Sequence, residues 1–297
     1  VTLSRRSCHG SRATEASLEK SFREDLVHRS ATAYADFLLP HLTTRSRLLD
    51  CGCGSGSITV GLAPAVGLAV GLDLQVATVR SAVAHVEAES IPNLGFVAAN
   101  ASVLPFAAAT FDALLLHSVL EAAPEPLALL REAWRVLVPG GIVAAASVEY
   151  GGRILAGPHA ELLQRFYAVR EELWTIERLA RPRAGRDLRR LLQQAGFTGI
   201  HATAHYFSQG TPDGVRSFGG ARAAECTDSW LASHAVARGL LSGAELRQMQ
   251  LAWTEWGASP ESFGAFAWCL RMVPRLGVEA SRVERLVVIP CAAEDPT

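Results

Sequence analysis

Leu48-Leu49-Asp50-Cys51-Gly52-Cys53-Gly54-Ser55-Gly56-Ser57 is an apolar run that ends in three glycines at alternate positions, and a second apolar run, Gly67 to Asp73, closes on an acid. A strand running into such a loop leaves backbone N–H groups facing a ligand, while a carboxylate at the end of the next strand can take a ribose diol. A nucleotide-like cofactor is the first expectation. The spacing narrows it. A dinucleotide fingerprint starting at Gly52 would put its third glycine or alanine where the chain has Ser57, and a phosphate-cradling loop needs a lysine, whereas the only lysine is Lys20.

Three further segments follow in order. Asn100-Ala101-Ser102-Val103-Leu104-Pro105-Phe106 precedes Phe111-Asp112-Ala113-Leu114-Leu115-Leu116-His117, and Leu130-Arg131-Glu132-Ala133-Trp134-Arg135-Val136-Leu137-Val138-Pro139-Gly140-Gly141 comes next. With the glycine loop and Asp73, this series resembles the class I S-adenosylmethionine (SAM)-dependent methyltransferases, in particular the ubiquinone/menaquinone-biosynthesis type that acts on small molecules. The resemblance implies a Rossmann-like α/β fold: a mostly parallel seven-stranded sheet with helices on both faces. It implies SAM as cofactor, with Asp50, Gly52, Cys53, Gly54 and Gly56 forming the cofactor loop. Asp73 and Leu74 would lie around the ribose, Asn100 and Ala101 at the adenine. His117 matches a position that lines the SAM pocket, and Tyr34, ahead of the first strand, one that closes it. Asn100 stands where the family usually has an acid; its amide can still accept from an adenine amino group through the carbonyl and donate to a ring nitrogen.

Composition fits an enzyme-sized unit. The chain has 297 residues, 49% of them apolar, and a net charge of −1, so it can bury a full core and carries no global basic field for nucleic acid. The expected partner is a small-molecule substrate, with neither nucleic acid nor membrane insertion; a homodimer is left open. The six cysteines show no paired C-x-x-C spacing and read as reduced thiols; Cys51 and Cys53 read as loop packing. The first residues lack the apolar core of a signal peptide, so a cytoplasmic location is expected.

Apolar runs at 47–51, 67–73, 94–99, 112–118 and 141–148 alternate with helical patterns, the signature of β-α units on a parallel sheet. Helices are predicted at 125–137, with Leu127, Leu130, Trp134 and Leu137 on one face, and at 185–195, stopping at Gly196. Residues 199–207 and 263–273 supply the last two strands. The methyltransferase domain is thus expected over 28–275, between extensions at 1–27 and 276–297. Segments 151–183 and 208–260 are too long for simple connections and are expected to form a substrate cover. Within the second, Ser242 and Glu245 make a capping box ahead of Leu246, Met249, Trp253 and Trp256 at helical spacing. Such a stripe reads first as core; its sharper reading has Trp253, with Trp174, walling an acceptor pocket.

Methyl transfer asks little of side chains beyond alignment and exclusion of water; a base is needed only when the acceptor must lose a proton. Candidates belong at the carboxyl ends of strands four and five: His117 and Glu121, then Glu149 and Tyr150, with His159 in the first insertion. His117 and Glu149 rank first as catalytic residues, and Tyr150 joins the substrate-binding set. His201 and His205 share a strand face without a third ligand, so no metal is expected. Two other functions stay open: a SAM-binding enzyme of non-methylating chemistry such as a cyclisation, and a non-catalytic interaction module.

Overall fold

Five parallel strands form the centre of the sheet. These are β1 (Arg47–Cys51), β2 (Leu68–Asp73), β3 (Leu94–Ala98), β4 (Phe111–His117) and β5 (Leu137–Ser147), side by side in the order β3-β2-β1-β4-β5. Their register places Leu48 beside Ala113 and Leu49 beside Leu114, and continues across to Ile142 and Val143. Side chains alternate between the two faces of a strand. Leu49, Leu114, Leu116, Val143 and Ala145 therefore enter one core, while Leu48, Ala113, Leu115, Ile142 and Ala144 enter the opposite one. Both faces are covered, which is why these strands read as unbroken apolar runs.

The computed structural model describes residues 29–89, 91–177, 179–227, 229–272 and 275–276. The expected extensions lie outside them apart from Leu276, as do Cys8 and Cys291. In the first half, α1 (Ala31–Tyr34) and α2 (Ser57–Leu62) cover one face of the sheet, α3 (Val76–Glu89) joins β2 to β3, and α4 (Pro126–Val136) covers the other face. The buried side of α4 carries Leu129, Leu130, Ala133 and Val136, so its face is rotated from the predicted one and Trp134 is turned outward. After β5 come β6 (Ile154–Ala156), α5 (Ala160–Ile176), α6 (Leu188–Gln194), β7 (Phe197–Thr198), β8 (Ala202–Gln209), α7 (Pro212–Glu225), α8 (Trp230–Ala237), α9 (Gly243–Ala258), β9 (Phe263–Met272) and β10 (Arg275–Leu276). Strand count differs from the expected seven. The five later strands pair antiparallel and bring the sheet to ten, because β9 is long enough to pair with β5 at one end, with β6 at the other and with β8 throughout.

The two long insertions share a core of their own. Leu163, Phe166, Tyr167 and Leu173 of α5 pack with Val215 and Ala223 of α7, Trp230 and Leu231 of α8, and Leu246, Met249, Trp253 and Trp256 of α9. Ser242 caps α9, with the reciprocal bond from its own N–H to Glu245 in place. Trp253 is fully buried and meets Phe166, Tyr167 and Trp256 edge-on. Its place in an acceptor wall is corrected accordingly: the aromatic stripe is the core of the helical layer. Helices α7 and α9 touch backbone to backbone, since a Cβ on Gly219 would lie 2.7 Å from the Gly257 Cα and 2.8 Å from the Trp253 carbonyl oxygen. Gly219→Ala should therefore lower the stability of the folded chain by about 1–3 kcal/mol, as overpacking does, read as a reduced midpoint of denaturant unfolding.

Candidate active site

The loop after β1 is bent by backbone hydrogen bonds. The N–H groups of Gly52 and Cys53 both donate to the Leu72 carbonyl, at 2.6 and 3.0 Å, so the chain leaving β1 folds over the end of β2. Gly52, Gly54 and Gly56 have φ of 76°, 54° and 79°. At Gly52 an L side chain is excluded twice over, by this left-handed backbone and by Val119 Cγ2, 2.3 Å from where a Cβ would sit. The turn brings Gly54 to Asp73: one carboxylate oxygen accepts from Gly54 N–H at 3.1 Å, the other from Gln75 N–H at 2.9 Å.

Asp50 is buried beneath this loop and accepts from the Thr59 hydroxyl at 2.6 Å. Burial pushes its pKa up to about 7; the Thr59 bond opposes this and the nearby Asp73 carboxylate adds to it. Leu74 is exposed at the strand end, and Asn100 is exposed with its carbonyl already accepting from Ser102 N–H at 2.9 Å. Ala101 is half-buried against the core. The loop beyond them is tied to α4. Glu132 accepts from Leu104 N–H at 2.7 Å, and Arg135 donates to the Leu104 and Phe106 carbonyls at 3.0 and 2.8 Å while pairing with Glu132. Glu132 and Arg135, both within the quoted segment Leu130 to Gly141, thus serve as a loop clamp.

At the end of β4, His117 meets the Tyr34 ring edge-on at 5.5 Å, and Tyr34 meets Phe207 of β8 at the same separation. The Arg29 guanidinium lies 5.4 Å from the Tyr34 ring, and His205 packs on Phe207. Sequence reasoning named Tyr34 and His117, which are in contact, but not Arg29 and Phe207, which both pack on Tyr34. The two-residue spacing of His205 and Phe207, which puts both on one strand face, was the available signal. Among the described residues no cluster of metal-ligating side chains occurs.

Beyond β4 the chain bends sharply, with Ser118 at φ 58°. Glu121 follows, buried, accepting from the Ser147 hydroxyl at 2.7 Å; desolvation raises its pKa against the hydrogen bonds that lower it. The expected proton acceptor Glu149 is placed differently. Both of its oxygens accept from Arg186, through the backbone N–H at 3.1 Å and the guanidinium, so its lone pairs are taken up by an ion pair. This corrects its role to that of a structural anchor. Tyr150 meets Trp174 edge-on at 5.2 Å, which brings together two expected substrate-binding residues. His159 instead pairs with Glu255 of α9 at 2.5 Å on the exposed side of the helical layer.

Residues 49–145 match a family described as a methyltransferase domain. The chain carries a methyltransferase domain. Demethylmenaquinone methyltransferase of Lactococcus lactis is 28% identical over 171 residues, 53% of this chain and 68% of that protein. O-methyltransferase rstn1 of Aspergillus nomiae is 34% identical over 161 residues, 53% of this chain and 66% of that protein. The fold is that of a methyltransferase-like crystal structure from Bacillus halodurans, with a TM-score of 0.52 at 19% identity, covering 82% of this chain and 97% of that one. The domain match and these relatives make the chain a methyltransferase, with SAM as the methyl donor that its loop is expected to take. The loop fits such a group: its glycines keep the backbone bare, and Asp73, though it holds Gly54 and Gln75, retains lone pairs for a diol.

The raised Asp50 pKa makes stability depend on pH. Between about pH 4 and pH 7 the folded chain holds a proton that the unfolded chain has released, so stability falls as pH rises through this window and levels off above it. The drop should be on the order of 2–4 kcal/mol. Asp50→Asn, a neutral acceptor for Thr59, should flatten that dependence in denaturant melts run from pH 4 to pH 8.

Proposed function

We propose that this methyltransferase acts on a small organic acceptor of quinone-like or secondary-metabolite type, bound where β4 and β5 end beneath the helical layer. The observation that carries the cofactor half is the clasp between Asp73 and Gly54 N–H, which holds an acid beside a bare backbone loop. In this reading the loop from Asp50 to Gly56, Cys53 included, takes the amino-acid end of SAM, with Asp73 and Leu74 at the ribose and Asn100 and Ala101 at the adenine. Tyr34 and His117 close the crevice above it. Bound SAM supplies an electrophilic methyl on a sulfonium. What remains for the protein is to align the acceptor, exclude water and, where needed, remove a proton.

Tyr150 and Trp174 form the acceptor side, and residues 151–183 and 208–260 its cover. Glu121 takes the proton-acceptor role from Glu149: its carboxylate is desolvated, with a raised pKa, and close enough to Tyr150 to act on the ionisation of that phenol. His117, at the end of β4, remains the second candidate. Relatives named for demethylmenaquinone methylation and for O-methylation support a small aromatic or quinonoid acceptor. The nearly neutral net charge supports a reading without nucleic acid.

The direct test is calorimetry with SAM, followed by an acceptor screen read by a mass gain of one methyl. Asp73→Ala should weaken SAM binding by at least about tenfold, the loss expected for a charge-assisted hydrogen bond; unchanged affinity in a folded variant removes Asp73 from the site. SAM recovered unconsumed with a converted acceptor favours a non-methylating reaction instead. For an acceptor that must be deprotonated, Glu121→Gln should lower kcat by about 100-fold or more and abolish the acidic limb of the pH–rate profile, with SAM affinity unchanged. Retention of that limb would assign the proton to another group, His117 first.

A further inference from the structure

Glu121, Glu149 and Glu171 are all buried, and a buried carboxylate is costly unless its lone pairs are met. Two of the three are met by arginine. Glu149 accepts from Arg186, and Glu171 accepts from Arg153 and, at 2.8 Å, from Arg183. A guanidinium at this range holds a carboxyl in its charged form, which suits an anchor and not a proton acceptor.

Glu121 is met differently. Arg181 belongs to the same short segment as Arg183 and Arg186, yet it turns to the main chain: its guanidinium donates to the Leu120 carbonyl and its N–H to the Glu121 carbonyl, the latter at 2.9 Å. The Glu121 side chain is left to the Ser147 hydroxyl at 2.7 Å. Desolvation raises the pKa of this carboxyl, and the hydrogen bonds that oppose the rise come from neutral groups, the Ser147 hydroxyl foremost. The ionisable groups set around it are the Tyr150 phenol, from the segment after β5, and the Arg181 guanidinium, taken up by the Leu120 carbonyl.

The donor is rigidly placed. Ser147 is wholly buried at the end of β5, in line with Val143 and Ala145, which enter the core shared with α4. An alanine would suit such a column, so the hydroxyl stands out by its one bond to Glu121. On the β4 side Ala146 accepts from Ser118 N–H at 2.9 Å, and on the other Ser147 pairs with Leu270 of β9. The left-handed bend at Ser118 then returns the chain, so that Glu121 meets Ser147.

We propose that Ser147 is a positioning residue for proton transfer: its hydroxyl holds the Glu121 carboxylate in one orientation with a neutral donor, which leaves Glu121 able to take a proton from the methyl acceptor. The proton passes to a Glu121 oxygen, and Ser147 keeps its own. This inference rests on the reading of Glu121 as the proton acceptor. Because the hydroxyl donates to the charged form, removing it should drive Glu121 further toward its protonated state.

The test is a carboxyl titration followed by a rate profile. In the full chain with isotopically labelled glutamate carboxyls, the Glu121 resonance is the one lost in Glu121→Gln. Ser147→Ala should raise its titration midpoint by about one pH unit, a roughly tenfold gain in proton affinity. Ser147→Thr, which keeps the hydroxyl, should return the midpoint to its starting value; Ser147→Cys, a weaker donor of similar size, should fall between and carries the test if alanine impairs folding. With the acceptor that the mass screen returns, the acidic limb of the pH–rate profile should move upward by the same amount in Ser147→Ala. A midpoint that stays or falls overturns the proposal, as does a raised midpoint with an unmoved limb. Retention of the limb in Glu121→Gln would instead strike at the choice of Glu121 as proton acceptor, so the two failures are separable.

Discussion

The reversal of the chain at the end of β1 is the constraint on which the rest depends. Two consecutive N–H groups, Gly52 and Cys53, share the Leu72 carbonyl, and this shared acceptor joins the β1 loop to the end of β2. Without it Gly54 would not reach Asp73, and α2 would not start where it does, at Gly56 in a left-handed conformation. The same reversal explains the crowding around the loop. Val119 from beyond β4 packs over Gly52, and Phe96 of β3 fills the space beside Gly56 and Gly71, so side chains that other residues would carry there are supplied by neighbouring strands.

The parallel half of the molecule was legible in the sequence because its signals are local. A doubly covered strand must be apolar at every position, and a left-handed turn admits glycine, so strands β1 to β5 and the glycine loop announce themselves one segment at a time. The motif residues Glu132 and Arg135 were equally visible, although their task, holding the 104–106 loop through its backbone, appears only when α4 is set against it.

The helical half was legible in its elements and not in its partnerships. Ser242 and Glu245 marked the start of α9 correctly, since a capping box is complete within four residues. Whether the stripe that follows faces a ligand or another helix depends on α5 and α7, which are distant in sequence, and Trp253 was resolved as core only by contact with Phe166 and Tyr167. Glu149 makes the same point for charge. Its position after β5 suits a proton acceptor, but Arg186, thirty-seven residues later, occupies it.

The clamp between α4 and the loop Leu104–Phe106 has a thermodynamic consequence. Arg135 and Glu132 hold the Leu104–Phe106 backbone through three hydrogen bonds to main-chain atoms, independently of any bound molecule. The conformational entropy of that segment is surrendered when the chain folds, and none of it is left to be lost on association, so more of the contact energy made there appears as affinity. That stretch of backbone is in this sense a rigid template whose shape is set before any encounter.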